Sequence, residues 1–459
     1  LMYEISVKQI CEKIWELEDK YNLLYKEING VKVWQYLRMK IYYQIAQQTG
    51  VFTKPHTTKN SLWDKIKAFP CYLYNAILKN PLKGNYQKDI LIFDHSRKIY
   101  VDGEYIDIYT KYLLDNLDVN DYNYDVIERP YLRKHWTKKE PNRKYLDYLS
   151  ISSFIPKKLY RVKFSEYQLK YIKTVEKEIN GYFNISINLK RLFIKGIKNF
   201  KYNYKFYNKL FKKRKPSKVY VVVSYGKAAL ISAAKDNDIQ VIEIQHGTFS
   251  PYHLGYNFPE CNKELEYFPD VFYIFGEYWS ESVKLPVKEE NIISYGFPYM
   301  NKRIKKYSDI EKKEKQILFI SQGVIGQEMS KIAYKVAQRL KDYNIIYKLH
   351  PGEYDRWKSE YEELVLANKL KNFEVIDHNN KDLYDYFASS NYLVGVFSTA
   401  IYEGLVFGCK TVLVNLPGIE YMQFLIEQDI VKVSDNADEV CEKINEFGQI
   451  SYEKEYFFK

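Results

Sequence analysis

From Lys218 to about Asp429 the chain alternates short apolar runs with helical stretches of about ten residues, and few folds accommodate that rhythm. SKVYVVVSYG is followed by KAALISAAKDN, then IQVIEIQHG, PDVFYIFGEYW and NIISYGFP. A second series opens with QILFISQG and EMSKIAYKVAQRLKDY. It continues through NIIYKLHPGE, RWKSEYEELVLANKL, FEVID, DLYDYFASS, YLVGVFSTA, IYEGLVFG, KTVLVNL and EYMQFLIEQ. Apolar runs of four to eight residues without polar alternation read as strands buried on both faces. Strands separated by helices imply parallel pairing with crossover helices. The expected fold class is therefore α/β, with two Rossmann-like lobes of parallel sheet facing a cleft.

At 459 residues, 46% hydrophobic and 28% charged, the chain can bury two cores. Residues 1–85 read as an N-terminal helical segment, because Ile10, Ile14, Leu17 and Tyr21 recur at helical spacing. KDILIFDH supplies the first strand and YDVIERP a second. A first lobe is thus expected over 86–300, interrupted by a helical insertion at about 144–215. The charged stretch KRIKKYSDIEKKEK reads as a hinge over 301–315. A second lobe follows over 316–445 and a tail over 446–459.

The insertion is strongly basic, with no acidic residue between Glu178 and Asp236. Phe193, Ile197, Phe200, Tyr204, Tyr207 and Phe211 step by fours and threes along one helix face. Either this face packs on its own domain, or the helix lies on an anionic membrane or near an anionic acceptor. The net charge of +12 allows nucleic acid, an anionic membrane surface or anionic small substrates as partner. No recognition helix or Cys/His zinc spacing is present, so nucleic acid is disfavoured. Five widely spaced cysteines, no apolar signal core at the start and no run of spanning length suit a cytoplasmic protein, at most peripheral to the membrane.

In an open parallel sheet, ligands bind beyond the carboxyl ends of the strands, beside the N-termini of the next helices. Those helix ends offer unpaired N–H groups and a positive dipole, suited to phosphate. NIIYKL ends in His350, Pro351, Gly352 and Glu353. His350 can donate to a phosphate or, if protonated, offset charge on a leaving nucleotide; Pro351 fixes the turn and Gly352 lets the backbone approach. YLVGVF ends in Ser398 and Thr399, either a phosphate cradle or a simple helix cap. Glu403, one turn on, can accept bonds from a ribose diol. Gln322 and Gly323 follow QILFIS, where glycine permits close approach.

HPGE and FSTAIYEG resemble the HP and Ser/Thr motifs of bacterial GT-B glycosyltransferases, a set that includes sialyltransferases, capsule Kdo transferases and, more loosely, teichoic-acid glycerophosphotransferases. The resemblance covers about Lys218 to Asp429. It implies an inverting sugar transferase of surface-polysaccharide assembly (capsule or lipopolysaccharide). The donor would be a CMP-linked nonulosonate or Kdo-type acid, with no metal and no further cofactor. The acceptor would be a hydroxyl of a glycan or lipid-linked glycan. Under it His350 and Ser398/Thr399 contact the donor phosphate. A CDP-polyol phosphotransferase, a UDP-sugar-dependent transferase and a sugar-nucleotide epimerase remain as alternatives on the same fold.

The first lobe would then carry the acceptor and its general base. His246, in IEIQHG, is one candidate. Asp94, beside His95 and Arg97 in IFDHSRK, is another, or else a turn cap. VDGEY offers Asp102 and Glu104, but it departs from the acidic motif of sialyltransferase-like families and equally reads as a hairpin turn.

Overall fold

The computed structural model describes residues 5–52, 62–84, 86–152, 160–261, 263–448 and 452–459. Parts of the expected N-terminal helical segment, basic insertion and C-terminal tail lie outside those residues. The first lobe carries β1 (Ile90–Phe93), the β2–β3 hairpin (Ile99–Val101, Glu104–Ile106), β4 (Tyr124–Glu128) and β5 (Arg143–Tyr145). After the helices Glu166–Phe183 and Leu189–Arg214 come β6 (Lys218–Val222), β7 (Gln240–Ile244), β8 (Val271–Ile274) and β9 (Ile292–Ser294). The second lobe carries β10 (Lys313–Ile320), β11 (Asn344–Lys348), β12 (Phe373–Ile376), β13 (Ser390–Gly395), β14 (Lys410–Val414) and β15 (Lys432–Ser434).

The seven-stranded sheet runs β5-β4-β1-β6-β7-β8-β9 and the six-stranded sheet β12-β11-β10-β13-β14-β15. Every pairing in both is parallel. The cause is visible in the residues: β1 and β4 are buried at every position, and β6, β7, β11 and β14 at all but the first. Such strands need helices on both faces. The fold is α/β with two parallel-sheet lobes, the GT-B arrangement.

Each sheet reverses direction once. In the first, the chain builds outward from β1 to β5 and then returns to β6 on the other side of β1. In the second, β10 is flanked by β11 on one side and β13 on the other. These reversals open crevices at the carboxyl ends of β1/β6 and β10/β13, the places where such sheets bind ligands.

The N-terminal helices Val7–Lys20 and Val33–Gln48 are built into the same core that runs through both lobes. Arg38 and Glu18, each 2% exposed at the side chain, pair through Nε–Oε1 at 2.6 Å and Nη2–Oε2 at 2.8 Å. Arg38 also donates to the Leu254 and Asn257 carbonyls, so these helices clamp the loop after β7. The Tyr42 hydroxyl lies 2.5 Å from that of Tyr421 in the second lobe.

The periodic face of the basic helix is buried: Phe193, Ile197, Phe200, Tyr207 and Phe211 all pack inside the protein. Its apolar side is thus spent on its own domain. Among the described residues, no helix is long and apolar enough to cross a membrane. The stretch read as a hinge over 301–315 is helix through Lys306 and strand from Lys313. Beyond it, Phe457 and Lys459 return to the first lobe, where the Trp279 indole donates to the Phe457 carbonyl (2.8 Å) and Lys459 N to the Phe275 carbonyl (2.8 Å).

Candidate functional site

The two crevices face each other. A Cβ on Gly247, just past β7, would sit 3.5 Å from the Thr399 hydroxyl oxygen at the start of the Thr399–Val406 helix. This junction joins QHG of the first lobe to FSTA of the second.

His246 is held by a relay that begins inside β7. Glu243 is fully buried among Val241, Ile242 and Ile244 of that strand, and its Oε1 accepts from Ser224 N (3.1 Å) and from the Tyr256 hydroxyl (2.7 Å). Because Tyr256 spends its proton on Glu243, its oxygen is left to accept from His246 Nδ1, 3.2 Å away. That bond places the imidazole proton on Nδ1 and leaves Nε2 with a free lone pair. Burial, followed by the charges of His95, His253 and Lys227, holds the His246 pKa well below the usual histidine value. The imidazole is therefore neutral near pH 7 and competent to accept a proton. His95, Tyr109 and Tyr225 surround it, with ring centroids 6.1, 6.3 and 6.2 Å away.

On the facing lobe, Ser398 caps its helix by accepting from Ala400 N (3.1 Å), which leaves its own O–H free to donate. Glu403 lies one turn along and accepts from the Tyr384 hydroxyl (3.1 Å). Burial pushes its carboxyl up to about 7. His350 has the opposite tautomer to His246: its Nδ1 accepts from Gly352 N (3.1 Å), so the proton sits on Nε2 as a donor. Desolvation and the charges of Arg97, Lys348 and Arg356 hold its pKa down. The free imidazole is therefore neutral near pH 7, with its Nε2–H available to donate.

Glu353, fully buried, fixes the HPGE turn. It accepts from His350 N (2.8 Å) with Oε2, and from Ser321 and Tyr361 hydroxyls (2.9 Å each) with Oε1. Pro351 begins the short 3-10 turn Pro351–Glu353. Gly323 lies under Arg356, whose Nη2 donates to its carbonyl (3.1 Å); a Cβ there would meet that nitrogen at 2.8 Å. Gln322 Oε1 is buried and unpartnered beside it.

The remaining base candidates are placed differently. Asp94 Oδ2 accepts from Lys98 Nζ (2.6 Å) and Arg143 Nη1 (2.9 Å). Arg143 continues to Glu128, Glu128 to His135 Nδ1 and His135 Nε2 to Asp147, forming a buried ionic ladder under β1, β4 and β5. Asp94 thus stands in an ionic network at the end of β1, with its other oxygen, Oδ1, buried and unpartnered. Asp102 and Gly103, at φ +48° and +92°, form the tip of the β2–β3 hairpin. The Asp102 side chain is 76% exposed and near Lys306 (3.8 Å), and Glu104 is exposed as well. VDGEY is thus the hairpin turn, and neither carboxylate joins the His246–Thr399 junction. Glu243, Tyr256 and Tyr384 were not anticipated; a lone glutamate within the buried run VIEI was the available signal for the first.

Neither a protein-family model nor a curated protein matches this sequence. Among solved structures, it is similar to the UDP-GlcNAc 2-epimerase of Methanocaldococcus jannaschii at 10% identity, covering 80% of this chain and 95% of that one, with a TM-score of 0.48. The UDP-GlcNAc 2-epimerase of Neisseria meningitidis bound to UDP-GlcNAc gives 12% identity, 78% and 91% coverage and a TM-score of 0.43. The wall teichoic acid polymerase TagF gives 11%, 83%, 88% and 0.40. Identities of this size carry no information about activity.

Proposed function

We propose that this chain is a nucleotide-sugar-dependent glycosyltransferase that moves a sugar onto a hydroxyl acceptor. The observation that supports it most is the junction of the two crevices, where a neutral histidine with a free Nε2 faces a hydroxyl-capped helix N-terminus. The acceptor hydroxyl attacks the anomeric carbon while His246 Nε2 takes its proton. As the carbon–oxygen bond to the nucleotide breaks, negative charge grows on the departing phosphate. Ser398 and Thr399 hydroxyls, the N–H groups of their helix and His350 Nε2–H meet that charge. Glu403 accepts from hydroxyls of the donor. Direct displacement inverts the anomeric centre. Surface-glycan assembly and a CMP-linked acidic sugar remain the reading suggested by the HPGE and FSTAIYEG motifs.

A thermal-shift series with CMP, CDP, UDP, GDP and dTDP identifies the donor nucleotide, since a ligand bound only by the folded state raises its stability. The matching sugar nucleotides are then incubated with and without oligosaccharide acceptors. Transfer of the sugar alone, lost about 10²–10⁴-fold in His246→Ala, supports the proposal. Two products would refute it: a polyol-phosphate adduct, or a donor that changes configuration with no acceptor present.

A further inference from the structure

A second concavity, about 510 Å³ in volume, opens beside the His246 junction. Its walls are the Val33–Gln48 helix, the Leu189–Arg214 helix and the loop after β6. Gly196 brings the two helices together: a Cβ there would meet Leu37 Cδ1 at 2.8 Å. Neither helix contains a single acidic residue. Lys40 and Lys195 face the pocket from opposite walls, both are exposed, and neither has an ion-pair partner among the described residues. Burial and then Lys195 push the Lys40 pKa below its ordinary value, as expected of two cations sharing a space without a counter-charge. Tyr43, Tyr225, Gln44 and Asn199 line the same pocket. Aromatic faces and amides are the groups that hold sugar rings; paired lysines hold an anion.

Tyr225 connects this pocket to the chemistry. Its ring lines the pocket and lies 6.2 Å from that of His246 and 5.4 Å from that of Tyr256. Val223, two residues earlier, has φ +68°, a left-handed turn uncommon for a β-branched residue, at the point where the chain leaves β6 to form this wall.

We propose that the pocket binds an anionic segment of the acceptor, a glycan bearing phosphate or carboxylate groups, with Lys40 and Lys195 on its charge and Tyr43 and Tyr225 against its sugar faces. The inference rests on the transferase reading of the His246 junction. A concave site of rings and amides fits an oligosaccharide rather than a flat lipid surface.

The test measures direct binding of defined probes to the full chain: neutral maltotriose, sialyllactose carrying a carboxylate, an oligo(glycerol phosphate) carrying phosphodiesters, and phosphatidylglycerol vesicles. An anionic oligosaccharide is expected to bind saturably, with maltotriose at least about tenfold weaker. Lys40→Ala/Lys195→Ala should weaken the anionic probe by about tenfold or more and leave the nucleotide thermal shift unchanged. Equal binding of neutral and anionic sugars would overturn the proposal, as would an unaffected double variant. A variant that loses only vesicle binding would overturn it too. Failure of every nucleotide to bind would count against the transferase reading instead, because oligosaccharide binding is read without a donor.

Discussion

Replacing Glu403 with glutamine isolates one buried carboxyl at the junction. Its pKa is raised by burial from the ordinary 4.5 to about 7, while Tyr384 donates a single stabilising hydrogen bond. The folded protein therefore keeps this proton to about pH 7, whereas the unfolded chain releases it near 4.5. Between those values the folded state holds more protons, so stability falls as pH rises. At about 1.4 kcal/mol per pH unit, the displacement amounts to roughly 3 kcal/mol lost by pH 8. Glutamine resembles the neutral acid and does not titrate. The Glu403→Gln variant should therefore gain on the parent protein as pH rises from 4.5 to 7, with the difference level above about pH 7.5. Urea unfolding of both proteins at half-unit pH steps from 4.5 to 8.5 reads it directly, since any fixed cost of the amide is the same at every pH. A difference that stays flat across that range would refute the burial of this carboxyl. The same variant reports on function above about pH 7, where the parent is the carboxylate: an amide offers one acceptor oxygen where the carboxylate offers two, so donor KM should rise there.

Tyr256→Phe removes the oxygen that fixes the His246 tautomer and is expected to lower kcat by about tenfold with donor KM unchanged; an unchanged kcat would remove the relay from the mechanism. Glu18→Ala strands the buried Arg38 charge and should cost about 3–5 kcal/mol in urea unfolding, whereas Glu18→Leu with Arg38→Met should restore most of it. Glu353→Ala leaves two hydroxyls and the His350 N–H without their acceptor, a loss of about 2–3 kcal/mol by the same assay. His350→Ala should keep the parent's circular dichroism and melting temperature while weakening donor turnover sharply, and near-normal turnover would exclude it.

The sheets were legible because strands buried on both faces must be written as unbroken apolar runs, as in VYVVV and QILFI. The crevice residues were legible for a related reason: at the carboxyl end of such a strand, a histidine or a Ser-Thr pair serves no core. Other parts depended on partners far away in sequence. Asp94 looks like a free strand-end carboxylate until Arg143, 49 residues on, is seen to hold it. The basic helix shows its apolar face plainly, but sequence periodicity cannot say what covers that face. The clamp from Arg38 to the loop at Leu254 spans 216 residues and has no local signature.

The return of the chain end to the first lobe has a mechanical consequence. The backbone passes between the lobes near Lys312, and its return to the first lobe is described from Tyr452 onward. Both passages touch the far end of the Thr399–Val406 helix: Gly408 lies beside Lys312, and the Tyr452 hydroxyl donates to the Leu405 carbonyl at 2.6 Å. Two neighbouring tethers make this helix end the natural axle for any movement of one lobe against the other. The helix is then a lever about 12 Å long, at about 1.5 Å per residue, pivoted at one end and bearing Thr399 at the other. A swing of about 10° would carry Thr399 about 2 Å relative to Gly247, enough to make or break one layer of contact with a phosphate.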